Sequence, residues 1–293
     1  MPSTPSTVLN TNPPAPRVVT ANEKVTGPPA AEMLRRSGIA SSRTEGIRLL
    51  DNACGGGILM SELLKSASMH SDTMKLDRLV AGDIDEKMLG YVQSKQTDVS
   101  SAMQESWQKV EVMKIDQQSI PLPDDSFTHL FSNFGIFFCQ DDEMALKEAY
   151  RVLQPGGTVG FTTWKVVAWW SEIALPALAR FVPDAPSLPS PGQLFPPRGW
   201  SDPEAIPAKL EKAGFGDVEV SEYSFTPNVE AEEFAEATAV LTKVVAKKGW
   251  SEEQNARFVD QIEPALLRYL KETFEVGRWD GKMTAIVTLG KKA

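Results

Sequence analysis

Cysteine and histidine are scarce in this 293-residue chain, which has two of each: Cys54 and Cys139, His70 and His129. Two thiols cannot build a disulfide framework, and so sparse a supply suits a reducing compartment, so a cytoplasmic location is expected. No CxxC or HxxxH spacing occurs, and no metal site is expected. Positive charge is also short. Lys and Arg number 30 against 39 Asp and Glu, giving a net charge of −9 and a pI near 5.0. That balance argues against a surface that tracks phosphates, so nucleic acid is not an expected partner. The pairs Lys247–Lys248 and Lys291–Lys292 read as solvated faces. No apolar run reaches the roughly 18–20 residues that a bilayer requires. The opening MPSTPSTVLNTNPPAPR lacks the apolar stretch of a signal peptide, so no membrane partner is expected.

What remains is an ordinary globular composition, 42% hydrophobic and 24% charged, enough for one α/β domain with additions. Residues 1–20 read as a disordered tail and residues 21–293 as a single domain. TGPPAAEMLRRSG reads as a short helix with Thr26 as N-cap, Pro28 and Pro29 in the first turn and Gly38 at its end. Strand-like and helix-like segments then alternate. GIRLLD ends at Asp51 and precedes CGGGILMSELLKSA; DRLVAGD ends at Asp83 and precedes DEKMLGYVQSKQ. KVEVMKID ends at Asp116, and THLFSNFG, DDEMALKEAYRVLQ and TVGFTTW follow. Such alternation predicts a Rossmann-like, doubly wound, mostly parallel sheet.

After Trp164 the rhythm breaks. Helices are expected near 170–182, in DPEAIPAKLEKAGFG, and over 231–248 and 251–274; DVEVSEYSF and KMTAIVTLGKK supply two more strands, seven in all. The ligand-binding core is placed at 45–164. Helical cap or insertion segments, assigned to substrate, fall at 165–200 and 228–280.

In open α/β sheets, ligands bind beyond the carboxyl ends of the strands. The first such turn is Asp51-Asn52-Ala53-Cys54-Gly55-Gly56-Gly57, where glycine allows positive φ and close backbone approach. Asp51, Ala53, Gly55 and Gly57 are therefore candidate ligand contacts. Asp83 stands where an acid can hold ribose hydroxyls, with Ile84 and Met88 following it. Asp116 and Gln117 are placed for an adenine ring, and Asn133 ends the fourth strand at the same ligand edge. Asp85 reads as the N-cap of the next helix.

Phe134, Phe137, Trp164, Trp169 and Trp200 are the candidate substrate-pocket aromatics, with Phe138, Trp170 and Phe195 near the same edge. Adjacent Trp169 and Trp170 cannot share one helix face, so at most one is expected to line a pocket. Cys54 has no nearby base and reads as structural, His129 as packed within a strand and His70 as exposed. No His–Asp or Lys–Glu pair emerges, so no catalytic residue is assigned; Glu172 and Tyr223 are the cap residues available for that role. The substrate is expected to arrive ionised or intrinsically nucleophilic.

LLDNACGGG resembles the glycine-rich first motif of the class I methyltransferases, in particular those related to ubiquinone/menaquinone methyltransferases. VAGDIDEKML resembles their second motif, and IPLPDDSFTHLFSNFGIFF with EAYRVLQPGG their later ones. The similarity runs from Arg48 to Trp164. ANEKVTGPPAAEML is similar to the lead-in helix of fungal secondary-metabolite methyltransferases. Two departures stand out: Ala53 replaces the usual first glycine, and Thr128 the usual Asp after Ser-Phe.

The resemblance implies S-adenosyl-L-methionine as cofactor and methyl transfer to O, N or S of a small molecule, with the lead-in helix closing over the cofactor. It leaves open a monomer or a homodimer. A methyltransferase-like protein that binds the cofactor but catalyses a non-methylating rearrangement, or serves as a binding or regulatory protein, is the alternative. A nicotinamide oxidoreductase is disfavoured, because Met60 stands where the third glycine of its fingerprint belongs.

Overall fold

Strand β1 (Ile47–Asn52) is buried along nearly its whole length, down to the carboxylate of Asp51. A strand covered on both faces reads as a continuous apolar run, which is how GIRLLD looks in the sequence. β2 (Leu76–Asp83) and β4 (Phe127–Asn133) flank it in parallel, and β3 (Val110–Lys114) and β5 (Leu153–Val166) extend the sheet on either side. β7 (Met283–Lys292) enters antiparallel beside β5, and β6 (Phe215–Phe225) closes that edge. The order is β3-β2-β1-β4-β5-β7-β6, a seven-stranded Rossmann-like sheet with one antiparallel member. The computed structural model describes residues 16–41, 46–70, 74–98, 102–189 and 199–293; Phe195 and residues 1–15 of the expected tail lie outside them.

Helices cover both faces. α1 (Pro16–Arg36), α2 (Ile58–Met69), α3 (Glu86–Thr97) and the single turn α4 (Gln104–Trp107) precede β3. Buried residues of the first three and Trp107 of α4 pack into one core around Leu49, Ala81 and Phe131. α5 (Asp142–Val152), capped by the Asp141 carboxylate on the Met144 amide, and α6 (Leu175–Phe181) follow. α5 and α7 (Ile206–Lys212) build the core of the opposite face around Leu50, Leu130 and Phe161. A third core gathers α6, α8 (Ala231–Gly249), α9 (Glu252–Phe258) and α10 (Ile262–Thr273). No helix among the described residues is long and apolar enough to cross a membrane.

Four expectations need correction. α1 starts at Pro16, ahead of Ala21, with Val18 and Val19 buried. Thr26 is therefore no N-cap but an interior residue whose hydroxyl donates to the Asn22 carbonyl; Pro28 and Pro29 lie inside the helix and remove two backbone donors there. β3 stops at Lys114, and Asp116 sits in the turn beyond it. The helix expected over 251–274 is interrupted by a 3-10 turn at Val259–Gln261, and α10 carries Pro264 in its first turn, where no donor is lost.

Candidate active site

The turn after β1 is held by its neighbours rather than by its own side chains. The amides of Ala53 and Cys54 both donate to the Gly82 carbonyl at 2.9 Å. Ala53, Gly55 and Gly57 all adopt positive φ, at 69°, 51° and 77°. At Gly55 a Cβ would meet nothing within 4 Å, so this backbone borders open space. At Gly57 a Cβ would press on the Trp107 ring at 2.9 Å, so that glycine is required by packing. Ala53 occupies a glycine's conformation with a side chain, which costs an L-residue about 1–2 kcal/mol. Ala53→Gly is expected to raise stability by about 0.5 kcal/mol, the relief being partly offset by glycine's greater freedom when unfolded; urea denaturation checks it.

Two carboxylates converge on this turn. Asp83, at the tip of β2, accepts from the Gly55 amide at 2.8 Å and from the Asp85 amide at 2.9 Å. Burial raises its pKa against the lowering effect of those amides. Asp51, fully buried at the tip of β1, has no hydrogen-bond partner on either oxygen. Burial, and then the charge of Asp83, push its pKa up to about 8, with the nearby Met60 amide opposing. Asp51 therefore holds its proton at neutral pH, and a positively charged ligand at the turn would favour its ionised form. Cys54 is buried, and burial pushes its thiol well above its ordinary value, so it is not a thiolate nucleophile.

The remaining expected contacts divide. Ile84 is exposed and Met88 half-buried beside Asp83. Asp85 caps α3 through the Lys87 amide, as its position suggested. Asp116 spends one oxygen on the Gln118 amide, and Gln117 bridges the Ser132 hydroxyl and the Gly135 carbonyl. Asn133 is engaged at both ends: its Nδ2 donates to the Thr26 carbonyl and its Oδ1 accepts from Thr162 at 2.6 Å. It therefore ties α1 across the strand tips.

α1 also meets the turn further along. Val19 and Tyr91 close on Gly56, and Glu23 pairs with Lys95, whose ammonium also reaches Ser61 at 3.2 Å. Tyr91, Lys95, Val19 and Glu23 were missed from the sequence. They lie on separate helices, and only tertiary packing makes them neighbours of the glycines.

Among the aromatics, Phe134 takes positive φ (57°) and stacks on Trp164 with ring centroids 4.1 Å apart. The row continues through Phe225 at 6.5 Å to Tyr223, crossing from β5 to β6. Phe225 was missed because it lies 61 positions beyond Trp164 in the numbering and only sheet pairing aligns them. Phe137 is half-buried against exposed Phe138.

Trp200 does not belong with this row. It is buried against Phe161, its indole N–H donates to Asp142 at 2.7 Å, and its carbonyl accepts from Thr163. Thr163 and Trp164 point to opposite faces of β5, so Trp200 packs on the other side of the sheet. Trp169 and Trp170 are both buried in the helical core, with rings edge to face at 5.7 Å. The segment enters a π-helical turn at Trp170–Ala174 and is surrounded by residues of α6, α8 and α10, so both rings meet apolar neighbours.

Glu172 is held by the Trp279 indole N–H at 2.9 Å. His129 lies near the base of β4 with its ring on Thr128, and exposed His70 ends α2. Among the described residues no three His, Cys, Asp or Glu side chains gather in a way that could hold a metal ion.

Residues 50–161 match the family model described as a methyltransferase domain. Over 274 residues the chain is 30% identical to the methyltransferase tpcH of Aspergillus fumigatus, covering 90% of this chain and 91% of that protein. The chain belongs to the S-adenosylmethionine-dependent methyltransferases. It is also 31% identical to the acetylaranotin bis-thiomethyltransferase of Aspergillus terreus, over 86% of this chain and 84% of that one. A solved structure of the Haemonchus contortus phosphoethanolamine N-methyltransferase 2, complexed with phosphomonomethylethanolamine and S-adenosylhomocysteine, aligns with 90% of this chain and 52% of its own at 18% identity and a TM-score of 0.48.

The site suits the methyl donor of this family. S-adenosylmethionine carries an ammonium and a sulfonium, and the turn offers two carboxylates, one without any partner, beside a glycine that faces open space.

Proposed function

We propose that this methyltransferase transfers a methyl group to a heteroatom, O, N or S, of a small secondary metabolite. The observation that carries this reading is the row Phe134–Trp164–Phe225–Tyr223, which leads away from the carboxylate-lined turn on the face that α1 crosses. Asp51, Ala53, Gly55, Gly57 and Asp83 would hold the donor, with Ile84 and Met88 flanking its nucleoside and Asp116 and Gln117 near the adenine. When bound, the donor supplies a methyl on a positively charged sulfur, already activated for displacement in line. What the chain adds is alignment and exclusion of water, and aromatic faces that favour a cationic centre. Residues 165–189 and 228–280 would shape the substrate pocket, with Phe137 at its margin and Trp169 in the core beneath it; residues 190–198 of the expected cap lie outside the described residues.

Neither histidine is at the strand tips, Cys54 is not ionised, and Glu172 is committed to Trp279. A substrate that brings its own nucleophile, a thiol or amine ahead of an aliphatic alcohol, therefore fits best. The thiomethyltransferase relative points the same way.

Methyl-labelled donor incubated with a panel of small aromatic thiols, amines and alcohols tests this. Label is expected in the thiols or amines; donor binding without transfer to any of the three classes would refute it. Trp164→Ala is expected to raise the acceptor KM about tenfold, as loss of one aromatic contact worth about 1.4 kcal/mol implies. Its affinity for the donor should stay within twofold.

A further inference from the structure

A second cavity opens at the other end of the sheet. Its walls include Thr128 and His129 from β4, Gln154 and Thr158 from β5, Lys291 from β7 and Ser37 beyond α1, enclosing about 290 Å³. It reaches Ile47 at the start of β1, whereas the glycine turn follows Asn52 at that strand's end. Five strand steps separate them by about 17 Å, so the cavity is no part of the donor site.

Its chemistry is one-sided. Among the described residues none that lines it is acidic, in a chain of net charge −9. Lys291 makes no ion pair among the described residues, and its ammonium rests on the Thr158 hydroxyl at 2.7 Å. Thr158 accepts that bond and so keeps its own proton to donate. Behind the wall, Arg48 donates to Gln154 Oε1 while its Nε is buried with no partner. His129 has its Nδ1 2.8 Å from the Thr128 hydroxyl, and burial, then the Lys291 charge, lower its pKa to about 4. Asp77, whose carboxylate lies against Gly46, is already paired with Lys75, so the Lys291 ammonium, set beside the Thr158 hydroxyl and glycine backbone, is left for a bound anion to complete.

We propose that this cavity is a second binding site that takes a phosphate group, free or as the monoester of a small metabolite. The Thr128 and Ser37 hydroxyls are spent on the Arg48 and Leu34 carbonyls, so the Lys291 ammonium on β7 and the Thr158 hydroxyl on β5 are the donors offered to an oxyanion. The volume is at the low end of ligand pockets, too small to enclose a nucleotide.

Calorimetry on the full chain with inorganic phosphate and with glycerol 3-phosphate, at ionic strength matched with sodium chloride, tests the proposal. Saturable binding is expected, and Lys291→Gln should weaken it at least tenfold. The exposed position of Lys291 lets that variant fold, as circular dichroism would verify. The chain has only two histidines, so their imidazole signals are separable by NMR. Those of His129 should shift on titration, with its pKa raised because an anion favours the imidazolium, while those of His70 should not. Affinity for S-adenosylmethionine should be unchanged by the variant. Tighter binding of the ester marks a metabolite as the source, and equal binding marks free phosphate. Heat no greater than chloride gives, or phosphate binding that survives Lys291→Gln intact, overturns the proposal.

Discussion

Asp83→Ala is expected to weaken S-adenosylmethionine binding about a hundredfold while leaving a folded protein. The carboxylate holds the glycine turn through the Gly55 and Asp85 amides. Hydrogen bonds to a charged group are worth roughly 1.5–3 kcal/mol each, so losing two releases the turn and removes the proposed ribose contact together. At about 1.4 kcal/mol per tenfold, a loss near 3 kcal/mol gives the hundredfold figure. The fold survives because β2 remains paired along its length with β1 and β3. Asp83→Asn keeps one oxygen able to accept an amide and should fall in between. Calorimetric titration with the donor and with S-adenosylhomocysteine measures both, and an unchanged affinity in Asp83→Ala would falsify the assignment.

Asp51→Asn should move stability and binding in opposite directions. The folded protein holds the Asp51 carboxyl near a pKa of about 8 against an ordinary value of 3.8. The folded state therefore keeps a proton that the unfolded chain has already lost at neutral pH. Below about pH 4 the group has no effect; from there to about pH 8 its presence costs increasing stability. At pH 7 the cost is on the order of 4 kcal/mol at most. A buried amide without partners returns roughly 1–3 kcal/mol of that as its own penalty. A net gain near 1–2 kcal/mol, or a Tm higher by about 4 °C, is the expected result at pH 7. Wild-type stability should also decline between pH 5 and 8 more steeply than that of the variant. Binding should fall at least tenfold, because the variant no longer offers a charge to the donor's cationic groups. A variant that is both less stable and equally tight in binding would show that Asp51 is neutralised by some other group.

The alternation of strands and helices was legible because each β-strand of a two-sided parallel sheet is a short apolar run, and each helix an amphipathic one. The acids at the tips of β1 and β2 and the glycines after β1 were legible for a local reason too. A strand-to-helix turn that must admit a ligand uses residues tolerant of positive φ, and Ala53 shows the same demand met at a cost. Asp116 illustrates the limit of such reading: two residues of strand length decide whether it ends β3 or caps the following turn, and strand ends are set by pairing with β2.

The roles of the tryptophans were decided by tertiary structure. Trp200 and Trp164 are equally aromatic in the sequence, but alternation along β5 sends their partners to opposite faces, and Asp142 takes the indole N–H of the first. Trp169 and Trp170 are both buried because residues of α6, α8 and α10 close around them from more than one direction, which no periodicity announces. Asn133 became a tether because α1 passes over it, and α1 is longer than its prolines suggested. From the sequence alone came the class of sheet and the acids at the tips of β1 and β2, since both depend on spacing within a few residues. Which aromatics stack into the row beside the turn, and that a cavity walled by His129, Thr158 and Lys291 forms at the sheet's base, only the assembled sheet determines, because those contacts join residues far apart in the chain.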